Sequence, residues 1–149
     1  MLRLSVLTLL IQKGSGCVHN LNPIPSLGNT EQISKEVGPY TISEVTAYSL
    51  ASYSLRKGSE KDAKKKLEQF IGSSLPDVMK SNFGKISSFW IGPSQWLIEA
   101  PIEIHEDLAR ELSEISLGKA SITEQTDAWC RFDLKGSELA KPLSLLCNV

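Results

Sequence analysis

Two apolar stripes at helical spacing, each bracketed by short strand-like runs, constrain this chain more than any other feature. Ala63, Leu67, Phe70 and Ile71 recur at i, i+4, i+7 and i+8, which predicts a helix over about 60–71. Ser59-Glu60-Lys61-Asp62 resembles a capping box ahead of it, with Ser59 as the cap, and Gly72 is a suitable stop. Ile104, Leu108, Leu112 and Ile115 predict a second helix over about 103–117, ended by Gly118. Its facing positions are polar: Glu103, Glu106, Asp107, Arg110, Glu111 and Glu114.

The segments around these helices read as strands. Thr-, Ser-, Val- and Tyr-rich alternation predicts strands at about 41–46 and 48–56. Ser88-Phe89-Trp90-Ile91 and Gln95-Trp96-Leu97-Ile98-Glu99-Ala100 flank Gly92-Pro93-Ser94, the pattern of a hairpin, which Pro101 closes. Ala120 to Leu134 reads as one long or two short strands, with Trp129, Phe132 and Leu134 expected to be buried. A last helical segment is expected over about 138–147, bent or delayed by Pro142. From Ala47 to Leu134 the order is β-α-β-β-α-β. That is the ferredoxin-like arrangement of an α+β domain, an antiparallel sheet with both helices on one face.

The chain of 149 residues is 41% hydrophobic and 22% charged, enough for one domain with a core and against a disordered or collagen-like chain. Its 16 basic and 17 acidic residues give a net charge of −1, so bulk charge does not draw it to nucleic acid. Charge is segregated locally. Arg56, Lys57, Lys61, Lys64, Lys65 and Lys66 stand against Glu60 and Asp62, whereas Arg110 alone faces the acids of 103–114. Neighbouring helices of opposite sign are expected to attract weakly.

Met1 to Ile11, MLRLSVLTLLI, is far shorter than the roughly 20 residues that span a bilayer. Lys13 follows at once and no A-x-A site is present; Gly14 replaces the aliphatic residue that a lipoprotein site at Cys17 wants. The reading is a cytoplasmic extension, with no membrane association. Asn20 to Pro39 is rich in Asn, Pro, Gly and Ser and reads as a linker. The expected organisation is therefore an N-terminal extension over 1–39 and a folded domain over 40–149.

Chemistry is sparse. Cys17, Cys130 and Cys147 include no C-x-x-C pair, and His19 and His105 are the only histidines, so no zinc ligand cluster is present. Scattered thiols suit a reducing cytoplasm. Cys130 with His105 is the one nucleophile–base pairing on offer, but the thiol sits in an apolar strand and the histidine in an acidic first turn, where a buried thiol and a solvated ring are expected. Asp127 reads as a turn cap and Glu124 as a solvated side chain, rather than the two as an acid–base pair. Phosphate-binding glycine patterns are absent, and the lysine run alternates with a core stripe, as on a solvated helix face. Trp90, Trp96 and Trp129 fall in three expected strands and read first as core; Trp90 and Trp96 also bracket a tight turn, and a partly exposed aromatic cluster on the sheet face away from the helices would be a docking surface.

Ser88-Phe89-Trp90-Ile91-Gly92-Pro93-Ser94-Gln95-Trp96-Leu97 resembles the "WIGPDQWL" signature of the gamma subunit of heterotetrameric sarcosine oxidase. Ser121-Ile122-Thr123-Glu124-Gln125-Thr126-Asp127-Ala128-Trp129 is similar to that family's "VTDQSDAW". Leu134-Lys135-Gly136-Ser137 matches its "LSG" helix entry, Leu145-Leu146-Cys147 its "RLC" end, and His105-Glu106-Asp107-Leu108 also fits. The likeness covers about 40–147.

The resemblance implies a fold like the folate-binding domain of aminomethyltransferases and a non-catalytic subunit that binds no cofactor or metal of its own. The alpha, beta and delta subunits of such a complex would be its partners and would hold FAD, FMN, NAD, tetrahydrofolate and zinc. The whole would oxidise the N-methyl group of sarcosine, giving glycine and hydrogen peroxide, and pass the one-carbon unit to tetrahydrofolate. The candidate interface is then Trp90, Gln95, Trp96, Gln125, Asp127 and Trp129. Gamma subunits run on past the "RLC" motif in further strands, so the C-terminal part of the family domain is expected to be missing here, leaving sheet edges and apolar faces uncovered. Two other classes stay open at this point. One is a self-standing folate-binding regulator of the same fold, with Glu124 or Asp127 as the pterin carboxylate. The other is a ferredoxin-like RNA-binding module, which lacks an aromatic–basic RNP pattern.

Overall fold

The computed structural model describes residues 25–29 and 31–146. The apolar run at 1–11, Cys17, His19 and Cys147 lie outside them. The chain divides into two units, Met1–Glu31 and Gln32–Val149. In the first, the described residues form a turn in which the Gly28 N–H donates to Pro25 O at 2.9 Å. The described residues of the second carry eight strands and three α-helices.

Its centre is a five-stranded antiparallel sheet in the order β4-β5-β6-β3-β7. The strands are β3 (Tyr48–Leu55), β4 (Ser81–Asn82), β5 (Ser87–Gly92), β6 (Gln95–Pro101) and β7 (Ala120–Glu124). Helix α1 (Glu60–Ile71) links β3 to β5 through β4, and α2 (Leu108–Ser116) links β6 to β7. β6 thus lies between β3 and β5, and β3 between β6 and β7. This is the split βαβ order expected of the ferredoxin-like arrangement. A second antiparallel sheet, β1-β2-β8, joins β1 (Ser34–Val37), β2 (Tyr40–Val45) and β8 (Arg131–Gly136). Helix α3 (Ala140–Leu146) follows.

The core lies between the sheet and α1 and α2. Period-2 alternation sends Ala51 and Tyr53 of β3, and Trp96, Ile98 and Ala100 of β6, to that side. They meet Leu67 and Ile71 of α1 and Leu108 and Leu112 of α2. Tyr53 is fully buried and its ring carries the one polar tie common to both helices. Its hydroxyl donates to Ala63 O of α1 at 3.2 Å and accepts from Ser116 Oγ of α2 at 2.9 Å. Burial pushes the phenol above its usual pKa, and the Ser116 bond offsets that only in part.

The helices differ from expectation at their starts. Ser59 makes no side-chain cap; instead the Glu60 carboxylate is held below the usual carboxylate range, first by its own backbone N–H and then by the Gly58 N–H, from which it accepts at 2.9 Å. At the other end Gly72 takes φ +74 and returns its N–H to Glu68 O at 3.0 Å, as a left-handed cap requires. Helix α2 starts at Leu108, not near 103, because Pro101 to Asp107 forms turns and Asp107 is the cap, accepting from the Arg110 N–H at 3.2 Å. Ile104 consequently drops out of the apolar stripe and is 73% exposed. An ion pair between the two helices' ends runs in the reverse sense to the basic-α1, acidic-α2 charges. Lys119, just past α2, meets Asp62 of α1 at 2.7 Å and draws its carboxyl below the usual range.

Two further expectations are corrected. The ordered unit does not start at Tyr40: β1 pairs with β2 from Ser34↔Ser43 to Val37↔Tyr40. The second half of 120–134 leaves the central sheet altogether, since β8 pairs with β2. Trp129 and Phe132, expected to be buried, are exposed as a result, and Leu134 is half-buried. Pro142 falls in the first turn of α3, where its missing N–H has no helical partner to lose, so the helix is delayed to Ala140.

Substitution tests the register of α2. Leu112→Ala is expected to cost about 2–5 kcal/mol in urea unfolding, the range for emptying a packed leucine site. Ile104→Ala is expected to stay within about 0.5 kcal/mol. Equal losses would restore the longer helix.

Candidate docking site

The face of the central sheet turned away from the helices carries Leu50 on β3, Phe89 on β5, and Leu97 and Glu99 on β6. Their register partners confirm the shared face: Phe89 opposes Leu97 and Leu50 opposes Glu99. After β7 the chain makes a short 3-10 turn, Thr126–Ala128, and then passes this face as Trp129 and Cys130 before entering β8 at Arg131. Phe83, from the loop between β4 and β5, closes another side. The result is a concave depression of about 400 Å³ with aromatic walls and a polar end.

Three large aromatic side chains are exposed among the described residues: Phe83 at 76%, Trp129 at 61% and Phe132 at 44%. All three line this depression. Phe83 stands edge-on to Phe89, with ring centroids 5.6 Å apart. Trp129 donates its indole N–H to Gln125 Oε1 at 3.1 Å.

The polar end is an ion-pair network. Glu99 is only 5% exposed, and its carboxylate accepts from Arg131 Nη1. Arg131 also bonds Asp133 Oδ1 through Nε and Nη2, each at 3.2 Å, and lies over the Tyr48 ring at 4.8 Å. Partial burial on its own would lower the arginine pKa. The Glu99 and Asp133 carboxylates more than reverse this, so its pKa is raised.

The six candidate interface residues divide into two groups. Gln125, Asp127 and Trp129 share the 3-10 turn at the depression, where Asp127 is exposed and Gln125 orients the tryptophan. The turn is anchored to β3, because Gln125 N–H donates to Leu50 O at 2.8 Å and Leu50 N–H donates to Thr126 Oγ1 at 2.9 Å. Trp90 and Trp96 do not join them. They oppose each other across the β5–β6 hairpin on the helix side, where Trp96 is buried with its N–H on Pro76 O at 3.1 Å. Trp90 is packed half-buried against the core, and Gln95 is exposed at the start of β6. An aromatic cluster thus does exist opposite the helices, but Phe83, Phe89 and Phe132 build it with Trp129. The signal available for Phe89 was the odd–even parity of β5 and β6 counted from Trp96; Phe83 in a loop and Phe132 in β8 carried no such signal.

The catalytic pairing is also rearranged. Cys130 is exposed at the depression, not buried in a strand. His105 is partly buried, its Nδ1 2.7 Å from Glu111 Oε2 and its ring edge-on to Phe70 on the helix side of the sheet. Glu124 caps the 3-10 turn by accepting from the Thr126 N–H at 2.8 Å, the role sequence reasoning gave to Asp127. Among the described residues no three His, Cys, Asp or Glu side chains gather as a metal site would, and no helix is long and apolar enough to cross a membrane. What the depression offers chemically is contact area, shape, the Glu99–Arg131 pair and one thiol.

Arg131→Met leaves Glu99 buried without its cation and is expected to cost about 2–4 kcal/mol in chemical denaturation. Adding Glu99→Leu is expected to recover most of that loss. A double variant as unstable as the single would show that the pair holds the sheets by packing alone.

No protein-family model matches the sequence, and no curated protein matches it. Among solved structures, the chain is similar to a chain of the heterotetrameric sarcosine oxidase from Corynebacterium sp. U-96 in complex with pyrrole 2-carboxylate. The TM-score is 0.64 at 19% identity, and the match covers 76% of this chain and 59% of that one. At this identity the likeness carries the fold: this chain has a sarcosine oxidase-like α+β fold and spans 59% of the length of the solved chain.

Proposed function

We propose that this chain is a non-catalytic, gamma-type subunit of a heterotetrameric sarcosine oxidase, docking larger partners rather than carrying out the chemistry. The observation that carries the reading is the gathering of Phe83, Trp129 and Phe132, exposed together around one depression beside a compensated arginine. Aromatic and arginine side chains at the centre of a patch are what protein interfaces use as anchors. The structural likeness to a chain of a multi-subunit oxidase supports a protein-subunit partner. The hairpin and turn motifs around Trp96 and Trp129 support the gamma type. On this reading the flavins, NAD, tetrahydrofolate and zinc reside in the alpha, beta and delta subunits, in the cytoplasm. The chain's contribution to demethylating sarcosine is to hold those subunits in place.

Co-expression tests it. The tagged chain is expected to co-elute with the large flavin-bearing subunits of a sarcosine oxidase, and the complex to turn over sarcosine. Trp129→Ala with Phe83→Ala is expected to weaken capture at least about tenfold, as for loss of interface anchors, with the thermal unfolding of the isolated chain little changed. A chain that stays monomeric beside those subunits at micromolar concentration overturns the proposal, as does unaided turnover of a methylated amine.

A further inference from the structure

Three properties of the depression specify what docks there. The first is that its exposed rings are already held. Trp129 is tethered to Gln125 at 3.1 Å and Phe83 is braced on Phe89, so an incoming group need not immobilise them. The second is charge. Arg131 is compensated by Glu99 and Asp133. Of these groups Glu99 and Arg131 line the depression, a neutral pair: an anion entering here meets the Glu99 carboxylate and a cation the guanidinium, whereas an uncharged group meets neither penalty. The third is hydrogen-bonding capacity. The bonds to Glu99 and Asp133 use three of the five N–H groups of Arg131 and leave two for an acceptor. The size, about 400 Å³, accommodates one indole or phenyl group.

We infer that the depression takes an uncharged aromatic side chain from a partner polypeptide, with that residue's backbone carbonyl accepting from Arg131. This rests on the docking proposal above and names the chemistry of the docked group.

The test titrates the full chain, labelled with nitrogen-15, with N-acetyl-tryptophanamide, which presents an uncharged indole and amide carbonyls. The readout is the indole N–H resonance of Trp129, identified with Trp129→Phe. A saturable shift is expected with a Kd of about a millimolar, ordinary for one residue-sized ligand, while the Trp90 and Trp96 signals stay in place. Phe83→Ala is expected to weaken binding at least about fivefold, its unmoved Trp90 and Trp96 signals reporting an intact fold. N-acetyl-tryptophan, the same ring bearing a carboxylate, is expected to bind about fivefold more weakly. Three outcomes overturn the inference: no shift by about 20 mM amide, an unaltered titration in Phe83→Ala, or equal binding of the carboxylate probe. The titration needs no oxidase subunit. Probe binding without co-elution therefore sinks the oxidase reading alone, and co-elution without probe binding sinks the aromatic occupant alone.

Discussion

The two sheets of this molecule meet at Arg131. It is the first residue of β8, in the three-stranded sheet, and its guanidinium is held by Glu99 of β6 while it lies over Tyr48 of β3, both in the five-stranded sheet. A carboxylate only 5% exposed is tolerable here because its counter-charge comes with it. The contact fixes where the chain passes the central sheet after the 3-10 turn. Trp129, Cys130 and Phe132 flank Arg131 in sequence, so placing the arginine places the walls of the depression.

The central sheet then serves different ends on its two faces. One is closed by α1 and α2, with the Tyr53 hydroxyl tying both helices to β3 and every large side chain packed. The other carries phenylalanine and tryptophan rings in view of solvent around a satisfied ion pair. Division of labour along odd and even positions lets one hairpin supply both. In β6, Trp96 and Ile98 belong to the core while Leu97 and Glu99 line the depression.

The ferredoxin-like order was legible because it rests on local patterns: a clear apolar stripe in α1, a Gly-Pro-Ser turn, and glycine stops at 72 and 118. Helix α2 was legible in its buried half and misplaced at its start, because Ile104 keeps helical spacing by coincidence while Asp107 supplies the cap. The depression was half legible. Gln125, Asp127 and Trp129 stood out as a motif, and the core reading of the tryptophans holds for Trp96 and for Trp90 packed against it, but not for Trp129. Nothing local distinguishes β8 from another strand of the central sheet. Its pairing with β2 joins residues some ninety positions apart in the chain, and the ion pair that fixes it, Arg131 with Glu99, spans 32. Such long-range choices are settled by tertiary packing, not by propensity.

Gly136 closes the far end of β8 opposite Tyr40. A Cβ on it would lie 2.6 Å from both Pro39 O and the Tyr40 ring, and its φ of +151 suits glycine. The strand is therefore pinned twice, by steric fit at one end and by electrostatics at the other. A slip of a single residue would drive side chains into backbone at position 136 and turn Phe132 and Arg131 each to the face it does not now occupy. Alignment of the aromatic wall is in this sense digital: the strand offers its correct setting or loses both of its anchors together.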